Sequence, residues 1–321
     1  MAEESINKHQ TRKYAVVTGG NKGIGYEICR QLMKKGVMVV LTARDEKRGK
    51  EAVEKLMRES SSQELTQNLV VFHQVDVVDP ASISSLFDFI KSKYGKLDIL
   101  VNNAGINGLM IEGDVSILPE LIERDAARGL GITTEEDEAP IKSNGKLTET
   151  YEWAEECVTT NYYGAKRMIE AFIPLLLLSP LPRVVNISSL LGKLKLVSNE
   201  WAIKALNDVE GLTTEKVDEV LNEFLMDFKK GLLEEKGWPI DMAAYKVSKA
   251  ALNTYTRIVP QKYSSICVNC ICPGYTKTDI TCNTGSLTPE EAAESPVILA
   301  LLPEGGPSGQ FFFRKNVLTT F

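Results

Sequence analysis

The chain has 321 residues, of which 43% are hydrophobic, and 37 Lys and Arg stand against 43 Asp and Glu for a net charge of −6 at pH 7. That length allows one large α/β domain or two smaller ones, with enough apolar content for a large core. The acidic balance argues against nucleic acid or an anionic membrane as the main partner.

The polar stretch from Met1 to Thr11 carries no apolar signal segment. Tyr14 to Val17 is a short apolar run that ends in a glycine-rich turn. A helix follows, with Ile24, Ile28, Leu32 and Met33 at helical spacing. Val37 to Leu41 reads as a fully apolar strand, and Asp45 to Glu59 as a charged helix. Leu69 to Val75 is a third strand. The next helix places Ile83, Leu86, Phe87 and Ile90 on one face. Leu97 to Val101 is a fourth strand. Apolar strands alternating with amphipathic helices predict a doubly wound parallel sheet covered on both faces.

The alternation then pauses. Residues 106–148 are acidic and polar, too long for a bare loop, and read as an insertion with some helix of its own. A long helix is expected from Glu149 to Leu178. Its apolar run, Ala171 to Leu178, is interrupted by Pro174 and too short to span a bilayer. Arg183 to Ile187 is a fifth strand. A second insertion, residues 190–243, places Val217, Val220, Leu221, Phe224 and Phe228 on one helical face, which predicts packing on the body. The helix carrying Tyr245 ends near Pro260. Ser265 to Cys272 is a sixth strand, and Gln310 to Phe313 a seventh. Thr288-Pro-Glu-Glu291 is a capping box with proline at the first helical position. No repeat or low-complexity linker interrupts the chain, so residues 1–321 are expected to form a single domain with two insertions, in the cytoplasm.

Cys267 and Cys270 have CxxC spacing, but there is no second pair and no nearby histidine for a zinc site. Ile266 to Cys272 reads instead as a buried strand in which cysteine serves as a small hydrophobe. No metal is expected. The two histidines are His9, in the tail, and His73, inside a strand, so a Ser-His-Asp hydrolase is not the expected chemistry.

Three features carry chemistry. Thr18-Gly-Gly-Asn-Lys-Gly-Ile-Gly25 joins the first strand to the first helix, where glycines let a pyrophosphate approach the backbone and the helix end supplies free amides. Arg44 ends the second strand where an NAD site places a carboxylate. With Lys22 in the glycine loop, it favours a 2′-phosphate and hence NADPH. Tyr245 and Lys249 lie four residues apart on one helical face, where an ammonium is expected to bring the phenol down toward the working range.

Together these features resemble the short-chain dehydrogenase/reductase family. Gly19, Gly23 and Gly25 match its glycine motif. Asp76 matches its adenine-contacting acid, and Asn102 to Gly105 its Asn-Asn-Ala-Gly motif. Asn161, Ser189, Tyr245 and Lys249 match its catalytic positions, and Pro273, Gly274 and Thr278 its Pro-Gly turn and carboxamide contact. The match runs through the whole chain in order. It implies a Rossmann fold, with NADPH/NADP+ on Gly19, Asn21, Lys22, Gly23, Ile24, Gly25, Arg44, Asp76, Val77, Asn103, Ala104, Gly105, Tyr245, Lys249, Pro273, Gly274, Thr276 and Thr278.

Thr160 to Gly164, Asn199 to Ala202, Pro273 to Asp279 and Gly306 to Gly309 are similar to the plant menthone reductase and neomenthol dehydrogenase branch, with salutaridine reductase of alkaloid biosynthesis nearby. In common family members the serine lies about a dozen residues before the tyrosine, whereas Ser189 and Tyr245 are 245 − 189 = 56 apart. In this branch the intervening insertion covers the substrate side and occupies the usual dimer face, which implies a monomer.

The implied activity is reversible NADPH-dependent reduction of a hydrophobic ketone, menthone-like or alkaloid, to a secondary alcohol. Ser189 would bind the carbonyl, and Tyr245 would give the proton. Lys249 would tune Tyr245 and bind the ribose, and Asn161 would hold a relay water. Strand alternation puts Ser188 on the opposite face from Ser189. Specificity is expected on Ile106 and beyond, Leu190 to Lys195, Val197 to Ala202 and around Tyr275. Two other readings are an enone double-bond reductase, whose known plant relative carries glutamate in place of the tyrosine, and a non-catalytic NADPH sensor. Tyr245 is intact here.

Overall fold

The computed structural model describes residues 12–60, 68–133, 141–208 and 210–318. His9 lies outside them. Eight strands form the central sheet. They are β1 (Tyr14–Val17), β2 (Met38–Ala43), β3 (Val70–Gln74), β4 (Ile99–Asn102), β7 (Arg183–Ile187), β8 (Cys267–Cys272), β9 (Phe311–Phe313) and β10 (Asn316–Leu318). Their order is β10-β9-β8-β7-β4-β1-β2-β3. Every pairing is parallel except β9 with β10. β1, β2, β4 and β7 are buried along their whole length, as strands covered on both faces must be. The antiparallel β10 is an addition to the seven strands expected.

Helices cover both faces. Helices α1 (Gly23–Lys34) and α2 (Glu46–Ser60) bury Ile28, Leu32, Val53 and Leu56 on one side, joined there by α10 (Pro289–Ala300). Helix α10 starts at the expected capping box: Thr288 Oγ1 accepts from Glu291 N at 3.2 Å, and Glu291 Oε2 accepts from Thr288 N at 2.8 Å. On the other face α3 (Pro80–Tyr94) buries Ile83, Leu86 and Ile90. Beside it pack α5 (Tyr151–Val158), α6 (Ala165–Leu176) and α9 (Ala243–Lys262).

The helix expected over Glu149 to Leu178 is not uniform. It starts at Tyr151, capped by Thr150, and a π-helical turn at Thr159–Gly164 separates α5 from α6. The turn widens the helix where Asn161 sits, a feature that often marks a functional site.

The first insertion forms a hairpin of β5 (Met110–Glu112) and β6 (Lys146–Thr148), with α4 (Ile117–Leu130) between them. The second insertion holds two short 3-10 turns, then α7 (Glu200–Asn207) and α8 (Thr214–Lys230). Val217, Val220, Leu221 and Phe224 of α8 are fully buried in the same core as α5 and α9. Trp238 Nε1 donates to buried Asp227 at 2.9 Å and closes the far end of α8. Only the ends of this insertion reach the cavity described below. Its helices clad the outer side of the sheet's helical layer.

Removal of the Phe224 ring would leave a cavity between α8 and α9. Phe224→Ala is expected to cost about 3–5 kcal/mol of unfolding free energy in a denaturant titration. A cost below about 1 kcal/mol would show that α8 is only loosely docked.

Candidate active site

The strand order reverses between β1 and β4, and the loops leaving the C-terminal ends of the strands open a crevice there. Thr18 holds its two sides together. Its Oγ1 accepts from Asn103 N at 2.9 Å and from Ala104 N at 3.0 Å, while Asn103 Nδ2 donates to the Thr18 and Gly19 carbonyls at 2.9 and 3.1 Å. Gly25 abuts this knot. A Cβ there would fall 2.4 Å from Asn103 Nδ2 and 2.5 Å from the Gly19 carbonyl. Gly19 and Gly23 both have positive φ, which favours glycine.

A cavity of about 990 Å³ runs from Arg44 and Asp76, past Gly19 and Gly105, to Ser189, Tyr245 and Lys249. Every cofactor position expected from the sequence lines it except Gly25, which supports the loop from behind. The size, the close backbone approach at the glycines and the free end of α1 fit a dinucleotide with a small second ligand.

At one end the charges favour a phosphate. Arg44 is exposed, with Glu156 a loose partner at 3.8 Å, and Lys22 pairs with Asp279 across the cleft. Asp45 also lines this end but is engaged in capping α2, accepting from Arg48 N at 2.9 Å.

At the other end Ser189 and Tyr245 line the cavity together, and Ser189 Oγ accepts from Leu191 N at 3.1 Å. Ser188 lines the cavity too, but its buried hydroxyl is taken up, donating to Asn253 Oδ1 on α9 at 2.5 Å. Lys249 Nζ donates to the Ile187 carbonyl at 2.8 Å and lies 5.7 Å from the centre of the Tyr245 ring. The expected depression of the phenol is reversed. Burial pushes Tyr245 above its ordinary range, and only Ser189 pulls it down. Burial also pulls the Lys249 ammonium down to about 8, which still leaves it charged at neutral pH.

Asn161 is not in the cavity wall. Its Oδ1 accepts from Ile106 N, and its Nδ2 donates to the Ile106 carbonyl, both at 2.9 Å. The same Nδ2 reaches Ser248 Oγ at 3.1 Å. The side chain therefore fixes the strand-end loop. A Cβ on neighbouring Gly105 would lie 3.0 Å from Asn161 Oδ1 and 3.5 Å from Lys249 Nζ.

The apolar wall around Tyr245 comes from Ile122, Leu191 and Met242, with Ala126, Leu190, Cys272 and Phe313 beside them. Leu190, Leu191 and Tyr275 lie where specificity was expected. Val197 to Ala202 do not line the cavity: Val197 and Ala202 are core residues, and Asn199 caps α7. Ile122, Glu123 and Ala126 of α4 and Met242 fall within the two insertions expected on the substrate side, though none of them was singled out. The amphipathic pattern of residues 117–130 could have located the helix, but no local signal aims it at the cavity. Among the described residues no cluster of three or more His, Cys, Asp or Glu could hold a metal, and no helix is long and apolar enough to cross a membrane.

The short chain dehydrogenase family pattern matches residues 13–123. The chain is 58% identical to a (+)-neomenthol dehydrogenase of Capsicum annuum over 97% of its length and 98% of the relative. It is 49% identical to a salutaridine reductase of Papaver somniferum over the full length of both. Among solved structures it superposes on a menthone neomenthol reductase from Mentha piperita with a TM-score of 0.85 and 52% identity, covering 95% of this chain and 100% of that one. The glycine crevice at the strand-order reversal, the serine-tyrosine-lysine group at its inner end and these full-length likenesses place the chain in the short-chain dehydrogenase/reductase family.

Proposed function

We propose that this protein is an NADP(H)-dependent carbonyl reductase. It reduces a hydrophobic ketone of the menthone type to a secondary alcohol and runs the reaction in reverse. The observation that carries this reading is the Ser189–Tyr245 hydroxyl pair at the apolar end of a cavity whose other end presents Arg44 and Lys22. Bound NADPH supplies the hydride. Ser189 and Tyr245 hold the substrate oxygen between two hydroxyls, and Tyr245 gives it a proton as negative charge develops. A phenol kept protonated by burial suits the reductive direction. Lys249, fixed by the Ile187 carbonyl, binds the ribose and holds positive charge beneath the phenol. Asn161 sets Ile106 and Gly105, which would form part of the cofactor's bed beside Lys249. Arg44, Lys22, Asp76 and Val77 hold the adenosine end. Ile122, Leu191 and Met242 exclude water and orient an apolar substrate.

The protein acts as a monomer, because α8 covers the outer face of α5 and α9 that a helix-to-helix dimer would need; its place of action is the cytoplasm. A second substrate class, an amine-bearing alkaloid ketone, is favoured by one residue. Glu123 lines the cavity and would meet a protonated amine there.

NADPH oxidation followed with menthone, other cyclic monoterpenoid ketones, a conjugated enone and a morphinan ketone tests the reading. Menthone turnover to the alcohol is expected. Reduction of the enone double bond alone, or of the morphinan alone, would replace it. Tyr245→Phe should lower kcat at least ~100-fold while NADPH still binds by fluorescence titration. Full activity in that variant would remove Tyr245 from the chemistry.

Arg44→Ala should raise the KM for NADPH about 10-fold or more and leave that for NADH nearly unchanged. Equal effects on both would place the 2′-phosphate elsewhere.

Lys249 keeps its proton below about 8 and loses it above. Ketone reduction should therefore be level on the acid side and fall as pH rises through that value. A reductive rate that climbs with pH would contradict the assigned roles.

A further inference from the structure

The helix that carries Tyr245 has no capping side chain of its own. Met242, just before it, is in the left-handed region at φ 51, and its apolar side chain is turned into the cavity wall. The first residues of the helix, Ala243 and Ala244, are completely buried. Their N–H groups have no partner within the helix, and leaving them bare would be costly. A residue from far along the chain satisfies both. Glu149 Oε1 accepts from Ala243 N at 2.9 Å, and Oε2 accepts from Ala244 N at 3.2 Å.

A second grip follows within the same turn. Lys246 Nζ pairs with Asp125 at 2.7 Å, and the two side chains are only 7% and 3% exposed. Tyr245 thus stands between two amides held by one half-buried carboxylate and an ammonium held by a buried one. Asp125 lies on α4, and Glu149 immediately follows β6, so both holds come from the first insertion or its boundary. Glu149, Asp125 and Lys246 do not line the cavity, whereas Met242 and Tyr245 do. The contacts therefore cannot act on a ligand directly. They act on where the first turn of α9 stands.

We infer that Glu149 is a positioning residue for Tyr245, with Asp125–Lys246 as its counterpart on the other side. This rests on the reading of Tyr245 as proton donor. The carboxylate fixes the start of α9, and with it the reach of the phenol toward Ser189 and the substrate oxygen. The local sequence would not hold this alone, because Met242 offers no acceptor and its backbone is in a disfavoured region.

Glu149→Gln keeps the size and one acceptor but cannot receive both amides. In the full-length enzyme with NADPH and the best ketone of the panel, it is expected to lower kcat about 10-fold. The KM for ketone and the NADPH affinity by fluorescence should stay within about twofold, since the cavity wall is intact. The solvent deuterium isotope effect on kcat should increase, because proton delivery from a displaced phenol becomes slower. Unchanged kcat and isotope effect would overturn the inference. So would a loss of activity that tracks a parallel loss of NADPH affinity and thermal midpoint, which is what a merely structural role gives. If Glu149→Gln does not fold, the double variant Asp125→Leu/Lys246→Leu, which removes both charges together, decides in the same terms. Tyr245→Phe is measured alongside. Full activity in Tyr245→Phe overturns both the donor role and the inference. An inactive Tyr245→Phe beside an unaffected Glu149→Gln overturns the inference alone.

Discussion

The hydroxyl of Thr18 is the contact on which the rest of the site is built. It accepts two backbone amides from the end of β4 while Asn103 answers with its own amide group, so the ends of β1 and β4 cannot spread. Parallel strands whose order reverses at this point would otherwise leave a cleft with nothing to set its width. Once the ends are tied, Gly25 must lack a side chain, the glycine loop has one path, and Gly105 comes to rest against Asn161 and Lys249. The phosphate end and the chemical end of the cavity are therefore parts of one hydrogen-bonded frame.

The chemical end trades stability for reactivity. Lys249 and Tyr245 are buried where neither ion is favoured. A lysine whose proton is held so loosely gives folding less than an apolar residue of the same shape would. The body offsets this with two large cores, one on each face of the sheet, and with α8 clamped onto the helical layer.

The sheet, its alternating helices and the capping box at Thr288 were legible because each rests on local period or spacing. So were the glycine loop and the Tyr245–Lys249 pair. What the sequence did not disclose depends on distant parts meeting. The direction of the Tyr245 shift is set by how deeply α9 is covered, and spacing cannot report that. The hold of Asn161 on Ile106 is one such contact, made from a π turn that helical spacing does not announce. Val197 to Ala202 was expected at the substrate, but Val197 and Ala202 sit in the core. Glu149 carries no motif, and its partners lie 94 and 95 residues away.

The π turn at Thr159–Gly164 also bears on how this chain tolerates change. A regular α-helix advances about 100° per residue. A wide turn is in effect one residue more than the regular spiral can absorb. Loss of any single residue from this stretch would let the backbone relax into ordinary helix, a local gain. The same loss would swing α5 and α6 about 100° relative to one another, and either the buried face of Phe172 or the grip of Asn161 on Ile106 would be lost. Length here is under tighter control than composition, so substitutions in the turn should be easier to accommodate than deletions.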